Sequence, residues 1–348
     1  MRKLLKKCSL WVVCIVMLAG ANVQAQQIPH YSQYMLNPLL LNPAISGTDN
    51  YLDVRAGYRN QWVGLEGAPT SYYLSGHMPL GKLDYSSTPT TFRPQSFSKS
   101  KSRARWKPQH KSTLQKTRAH HGLGALVQVD QAAGLKRTDA QLIYAYHLPL
   151  NSSIKLAAGI SGGITQYGLN WEHISFTNPS DPVTSAQDYR RTRPNLGVGL
   201  MAYDGQFYAG ISLAQVLPAP FSFRSSSAEV PAKQQRHIFA HGGYRFAVGR
   251  QFSVLPSVVL KYANPSPLAF DVNAKVFYRD QFWLGGTYRH HDAAVASAGF
   301  QLKQRLHLGY AYDFTTSQLS TVSHGSHEIV LGLMLRNTRG VFSPSQYW

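Results

Sequence analysis

The sequence predicts an all-β fold, a transmembrane antiparallel β-barrel of about 14 strands with both termini on the periplasmic side. Three observations lead to this prediction. Segments of about ten residues alternate apolar and polar side chains, and the connections between them alternate in length. The chain is also rich in aromatic residues and glycine, with 20 Tyr, 15 Phe and 28 Gly among its 348 residues.

The alternation separates each segment into two chemically different faces. In Arg305–Phe314, the apolar set Leu306, Leu308, Tyr310, Tyr312 and Phe314 alternates with His307, Gly309, Ala311 and Asp313. Residues 270–279 and 52–59 follow the same pattern. One face is apolar with aromatic ends, and the other carries charges and glycine. This is typical of strands with lipid on one side and a polar lumen on the other.

Fourteen such segments are predicted, with boundaries accurate to a few residues. They are 50–61, 70–79, 121–130, 137–148, 153–166, 194–203, 206–215, 236–247, 251–262, 268–279, 281–290, 292–302, 305–314 and 326–336.

The connections differ in length according to whether they follow an even-numbered or an odd-numbered strand. Those after even-numbered strands are short, as at 149–152, 204–205 and 303–304, whereas 167–193 and 216–235 follow odd-numbered ones. Outer-membrane barrels have short periplasmic turns and longer external loops. The alternative is a soluble all-β sandwich or barrel. It would bury, at high cost, the charged residues that the barrel places in its lumen. These are Asp53, Arg55, Arg59, Asp271, Lys275, Arg289 and Asp313.

The formal net charge of +19 is concentrated in two parts of the chain. Residues 1–25 resemble a signal peptide, with a basic start, an apolar run and a Val23-Gln-Ala25 cleavage site. Both cysteines, Cys8 and Cys14, lie in this segment. Their removal would leave a mature chain without a thiol, which excludes disulfides, zinc–thiolate sites and cysteine nucleophiles.

The second basic part is the connection 81–120, which holds ten basic residues and one acid. We expect a basic periplasmic insert that binds an anionic surface such as peptidoglycan or an acidic partner, or else an insertion that is merely tolerated. Nucleic acid is not an expected partner, because Trp106 is the only aromatic residue that interleaves the closely spaced basic residues of 99–111. The other predicted parts are an N-terminal periplasmic segment (26–49), the barrel (50–336) and a C-terminal periplasmic tail (337–348).

No catalytic, cofactor-binding or metal site is predicted. His327-Glu328 begins like a zinc-protease motif, but Leu331 occupies the position of the second histidine. Adjacent histidines on a strand point to opposite faces, so the pairs at 120–121 and 290–291 are expected to be structural or solvated and not metal ligands. The glycines of 159–163 lack the lysine of a phosphate loop and are expected to allow bends or close packing.

The segment Tyr31–Gly47 is the most informative one. Asn37-Pro38 and Asn42-Pro43 each mark a turn, and the residues around them are too apolar to remain in water. One hypothesis is that the segment folds across or into the periplasmic mouth and offers a docking surface. The other is a plug that belongs to the barrel and has no partner. The predicted partner-docking residues are Tyr34, Asn37, Pro38, Asn42, Pro43, Arg59 and Trp62.

Five segments together resemble the PorP/SprF family of the type IX secretion and gliding machinery. Tyr31–Gly47 resembles its N-terminal signature, and Tyr58–Pro69 resembles its first strand and hairpin. Phe282–Arg289 and Leu308–Phe314 resemble its late strands, and Ser326–Ile329 the start of its closing strand. The resemblance reaches from about residue 27 to 336; the insert 81–120 departs from it, being longer and more basic.

The resemblance implies an outer-membrane β-barrel, and the lack of a nucleophile constellation predicts that it is not an enzyme. The resemblance also implies work by protein contact, as an anchor or docking partner for periplasmic motor-complex subunits and for the C-terminal domains of secreted adhesins. Outer-membrane lipid is the other expected partner. The alternative function is a passive outer-membrane porin.

Overall fold

A computed structural model describes most of the predicted barrel. The described residues are 31–82, 118–151, 154–169, 190–217, 220–224, 229–233, 235–249, 251–264, 266–302 and 305–336. The predicted signal peptide, residues 83–117 of the basic insert and the predicted tail 337–348 lie outside them.

The described chain forms a closed antiparallel barrel of 14 strands, as predicted. The β-strands are β1 (Leu52–Asn60), β2 (Thr70–Leu80), β3 (His120–Ala132), β4 (Leu135–Pro149), β5 (Lys155–Leu169), β6 (Arg190–Tyr203), β7 (Phe207–Ala214), β8 (Pro220–Arg224), β9 (Glu229–Lys233), β10 (His237–Tyr244), β11 (Phe246–Val248), β12 (Phe252–Ala263), β13 (Ala269–Tyr278), β14 (Phe282–Arg289), β15 (Ala293–Leu302), β16 (Leu306–Thr315) and β17 (Ser326–Leu335). Neighbouring strands pair in chain order, and the ring closes because β1 pairs with β17 and β10 pairs with both β7 and β12.

Three of these elements are not counted among the 14 strands of the barrel wall. β11 continues β10 along β12 after an interruption at Arg245, whose N–H donates to the Gln206 carbonyl at 2.7 Å. β8 and β9 form a two-stranded hairpin of their own between β7 and β10. The sequence pattern did not predict this hairpin.

The two ends of the barrel differ as the connection lengths predicted. At the end where β1 begins, here called the turn end, the short connections include 150–154, 204–206 and 303–305, and the basic insert starts and finishes there. The opposite end, called the loop end, carries 61–69 and 316–325, and the connections from β5 to β6 and from β7 to β10 start and finish there. One loop-end connection is shorter than predicted. The β3–β4 turn is only Ala133-Gly134, with φ of 45° and 83°, typical of a tight hairpin.

The two faces of the strands also follow the prediction. Exposed aromatic side chains point outward near both ends, as in the aromatic girdles of membrane barrels. Toward the loop end these are Tyr58, Tyr72, Tyr262, Tyr288 and Phe314, and toward the turn end Tyr146, Tyr244, Phe252, Phe282 and Phe300. The seven charged residues predicted to face the interior do so, and each is at most 5% exposed.

Residues 31–50, here called the plug, pass through the interior from one end of the barrel to the other. Ser32 N–H donates to Glu328 Oε2 at 2.6 Å near the start of β17, which is at the loop end. Lys82 Nζ donates to the Thr48 carbonyl at 2.9 Å at the turn end. The structure therefore places residues 31–49 of the predicted periplasmic segment inside the barrel.

Both Asn-Pro pairs mark turns, as predicted, because each proline opens a 3-10 helix. These helices are Pro38–Leu40 and Pro43–Ile45. Among the described residues, no helix is long and apolar enough to cross a membrane. Tyr31 and Arg336, the first and last described residues, lie at opposite ends, so a shared periplasmic side for the two termini stays a prediction.

Apolar plug residues form one buried core with the barrel wall. Met35, Leu36 and Ile45 are almost completely buried against wall residues that include Tyr203 and Trp283. Glycines of the wall allow the plug backbone to approach closely. A Cβ atom at Gly122 would overlap the Ser46 carbonyl, and one at Gly159 would overlap the backbone of Pro43 and Ala44. The expectation that Gly159 permits close packing is confirmed.

Replacing Gly122 by valine should destabilise the folded barrel by about 2 kcal/mol, the usual cost of overpacking a dense core. The midpoint of urea unfolding in detergent micelles measures the loss. Gly286→Val is the matched control, because no atom lies within 4 Å of a Cβ there. Equal midpoints for the two variants would contradict the close approach of plug and wall.

Candidate functional site

The plug is fastened near the loop end by one carboxylate. Glu328 is fully buried on β17. It accepts hydrogen bonds from the backbone N–H groups of Ser32 at 2.6 Å and Gln33 at 3.0 Å. Arg59 on β1 pairs with the same carboxylate at 3.0 Å. A buried carboxylate is tolerated only when it is paired and hydrogen-bonded. Two of the hydrogen bonds to Glu328 come from the plug, so the carboxylate requires the plug to be in place.

Two further charged residues join this carboxylate in a continuous network. Arg59 also pairs with Asp313 at 2.8 Å, and Arg289 reaches Asp313 at 3.5 Å. The Ser32 hydroxyl accepts from both arginines and donates to Asp313 at 2.6 Å. We call Ser32, Arg59, Arg289, Asp313 and Glu328 the lock. Strands β1, β14, β16 and β17 each supply one charged member.

The asparagines of the plug form a second attachment. Asn42 Oδ1 caps its own 3-10 helix by accepting from Ala44 N–H at 2.9 Å. Its Nδ2 donates to the Leu200 carbonyl at 3.1 Å and lies 3.1 Å from His241 Nε2. Asn37 Nδ2 donates to Ser75 Oγ at 2.8 Å. The two asparagines therefore fix the plug to opposite parts of the wall.

At the turn end, His77 lies beside two carboxylates in a cluster that resembles a metal site. The ligand-type atoms of Asp49, Asp53 and His77 all lie within 4.8 Å of one another. His77 Nδ1 accepts from Gly47 N–H at 3.3 Å, so the ring proton is on Nε2, which faces the carboxylates at 3.5 and 3.7 Å. A protonated nitrogen cannot coordinate a metal. The cluster therefore acts as a polar anchor for the plug.

Two stacked histidines complete the attachment at the turn end. The rings of His120 and His147 lie 4.4 Å apart and nearly parallel. Nε2 of His120 lies 3.1 Å from the Gly47 carbonyl, and Nε2 of His147 lies 2.7 Å from the Ser46 carbonyl. Carbonyls only accept, so both nitrogens are protonated and donate. This explains why His120 is structural, whereas its neighbour His121 points outward.

The structure brings most of the predicted docking residues into the barrel interior. Six of the seven are buried, and only Trp62, at the loop end beside β1, is half-buried. The buried ones are Tyr34, Asn37, Pro38, Asn42, Pro43 and Arg59. Their participation in docking stays a prediction, but their contacts show what they do inside the chain, which is to hold the plug.

Two sequence patterns that suggest catalysis lack the geometry for it. Gly159-Ile-Ser-Gly-Gly163 has the Gly-x-Ser-x-Gly spacing of a nucleophile elbow, a pattern that the prediction of no catalytic site overlooked. Ser161 lies in the middle of β5, without the strand–turn–helix that an elbow requires. His327 and Glu328 lie on opposite faces of β17, with His327 outside against Tyr310 at 2.7 Å.

A closed barrel with an apolar, aromatic exterior and a charged interior defines this chain as an outer-membrane protein. The family model for the type IX secretion system membrane protein PorP/SprF matches residues 23–333, and the chain belongs to this family. The lock connects the segments that carry the family resemblance. The N-terminal signature supplies Ser32, and the other four segments supply Arg59, Arg289, Asp313 and Glu328.

Solved structures show the same architecture at low identity. Omp33 of Acinetobacter baumannii is 8% identical, with a TM-score of 0.46 over 83% of this chain and 100% of that one. The CymD monoaromatic hydrocarbon channel is 11% identical, with a TM-score of 0.45 over 88% and 92%. The toluene transporter TbuX of Ralstonia pickettii is 11% identical, with a TM-score of 0.43 over 88% and 94%. These likenesses carry no functional argument. No curated protein matches the chain.

Replacing Glu328 by glutamine should loosen the plug, because the buried Arg59 then loses one of its two ionised partners. We expect a loss of about 3 kcal/mol in unfolding free energy, as for other broken buried pairs. Urea unfolding in micelles measures the stability. Glu66→Gln is the matched control, since Glu66 is exposed in the β1–β2 loop. A variant as stable as the control would show that the lock does not hold the plug.

Proposed function

We propose that this chain is an anchor and docking platform of the type IX secretion and gliding machinery. In this role it holds periplasmic motor-complex subunits and the C-terminal domains of secreted adhesins by protein–protein contact. The observation that carries the proposal is the locked plug, because an interior filled with paired charges and packed apolar residues leaves the two ends as the functional surfaces.

The passive porin is less well supported. A porin keeps a water-filled lumen, usually with about 16 strands or more. Here the inward-facing charges Arg59, Asp313 and Glu328 are buried and pair with one another, and Lys275 lies over the Trp283 ring. The cavity beside Leu40 and Leu41 measures about 50 Å³, which is room for a few water molecules.

The predicted docking residues fit this proposal as positioning residues. Because Asn37, Asn42 and Arg59 fix the plug to the wall, they keep both barrel ends in one shape. The basic insert between β2 and β3 starts and finishes at the turn end, where the periplasmic turns are expected. The family is one of secretion-system membrane proteins, which supports a role without catalysis.

In planar lipid bilayers the purified protein should give no steady conductance, because the plug and lock occupy the lumen. A porin reconstituted under the same conditions is the control for successful insertion. Steady, large conductance steps from the unmodified chain would overturn the platform proposal and favour the porin.

Affinity purification of the tagged chain from detergent-solubilised outer membranes should recover type IX secretion subunits. The same tag on an unrelated outer-membrane barrel is the control. Gly286→Val, which leaves the interior unchanged, should recover as much partner as the parent, whereas Gly122→Val should recover less. Recovery of the barrel without any secretion subunit would contradict the proposal.

A further inference from the structure

Strand β6 extends past its neighbour β7 at the loop end, and among the described residues its backbone edge there is largely unpaired. β6 pairs with β5 from Arg190 to Tyr203, but with β7 only from Val198 to Tyr203. Among the described residues, the backbone of 190–197 makes one hydrogen bond on the side that faces β7. In it, Val216 N–H donates to the Leu196 carbonyl at 2.9 Å.

That hydrogen bond shows which backbone groups the edge presents. In a strand, the N–H and C=O of one residue point to the same side, and the side alternates from residue to residue. Because the Leu196 carbonyl points away from β5, the groups of Pro194, Thr192 and Arg190 do so as well. Proline has no N–H. The edge therefore offers three carbonyls at these positions and two N–H donors, those of Arg190 and Thr192.

The side chains around this edge are basic and accessible. Arg190, Thr192 and Pro194 are exposed, and Arg193 is half-buried. Lys136 of β4 is also exposed, and both it and Arg190 lie opposite Gly168 in the pairing of β4, β5 and β6. The edge has the length of a short strand and carries a positive charge.

We propose that the β6 edge from Arg190 to Asn195 binds an extended acidic segment of a partner protein, which adds to the sheet as a further strand. The backbone groups of Arg190 and Thr192 supply the ladder hydrogen bonds, as in other cases of strand addition. Arg190 and Lys136, which share the outer face of the sheet, select carboxylate side chains. This surface is separate from the plug and the lock, and the proposal does not depend on the platform function.

The competing explanation is an edge that only protects itself. Arginines and proline are common devices that prevent strands from pairing edge to edge. This explanation predicts that no peptide binds. The two explanations therefore differ in a measurable result.

The probe is a fluorescent eight-residue peptide of alternating glutamate and valine, titrated with the full-length barrel in detergent micelles and followed by fluorescence anisotropy. The parent should bind it, and a lysine–valine peptide should bind at least tenfold more weakly. Thr192→Pro should weaken glutamate-peptide binding at least tenfold, because it removes an N–H of the edge. It leaves the β5–β6 ladder intact, since that N–H faces away from β5. Thr192→Val keeps the N–H and should bind like the parent.

A second pair of variants tests the charge. Arg190→Glu combined with Lys136→Glu should abolish binding of the glutamate peptide, while Arg305→Glu, an exposed position at the turn end, should not change it. Absence of binding to the parent overturns the proposal and favours a self-protecting edge. Binding that is lost in the charge variant but unchanged in Thr192→Pro also overturns it, because attraction without strand addition would then account for the affinity. Heat-modifiable migration on gels confirms that each variant is folded.

Discussion

The interior of this barrel depends on the pairing of buried charge. Lipid outside requires apolar side chains on one face of every strand, so the polar residues of 14 strands converge inside. A wide lumen could hydrate them, but here Arg59, Asp313 and Glu328 are almost completely shielded from solvent. Their desolvation is offset by close ion pairs, by the Ser32 hydroxyl and by the backbone N–H groups of Ser32 and Gln33. The plug is therefore a structural requirement of the wall's own charges.

The space for the plug is created by the small residues of the wall. Gly122 and Gly159 let the plug backbone pack where a side chain would otherwise stand, and Gly199 and Gly210 leave room for the Asn42 side chain. A 14-stranded barrel of ordinary side chains would leave little space for a second layer of chain. The glycines and the plug therefore depend on each other. A larger residue at these positions would displace the plug before it disturbed the strand.

The sequence alone predicted the strands of the wall but not the contacts of the plug, and one physical reason explains the difference. Strand alternation is a local signal, so the 14 strands and their inward charges could be read from windows of about ten residues. The plug makes its decisive contacts over as many as 296 residues of sequence, as between Ser32 and Glu328. Nothing local to Tyr31–Gly47 shows which carboxylate it meets. The β8–β9 hairpin was missed because it lies within a long connection and is short.

The five segments that carry the family resemblance are connected in the fold by the lock. Each of them looks independent in the sequence, a turn-rich signature near the start and four strand fragments far apart. In the fold they contribute Ser32, Arg59, Arg289, Asp313 and Glu328 to one network. A motif built for partner contact would be expected on the surface, whereas these five residues are buried together. The five segments are therefore best explained as the residues that build the closed interior. The choice of partner is then left to the exposed parts of the two ends.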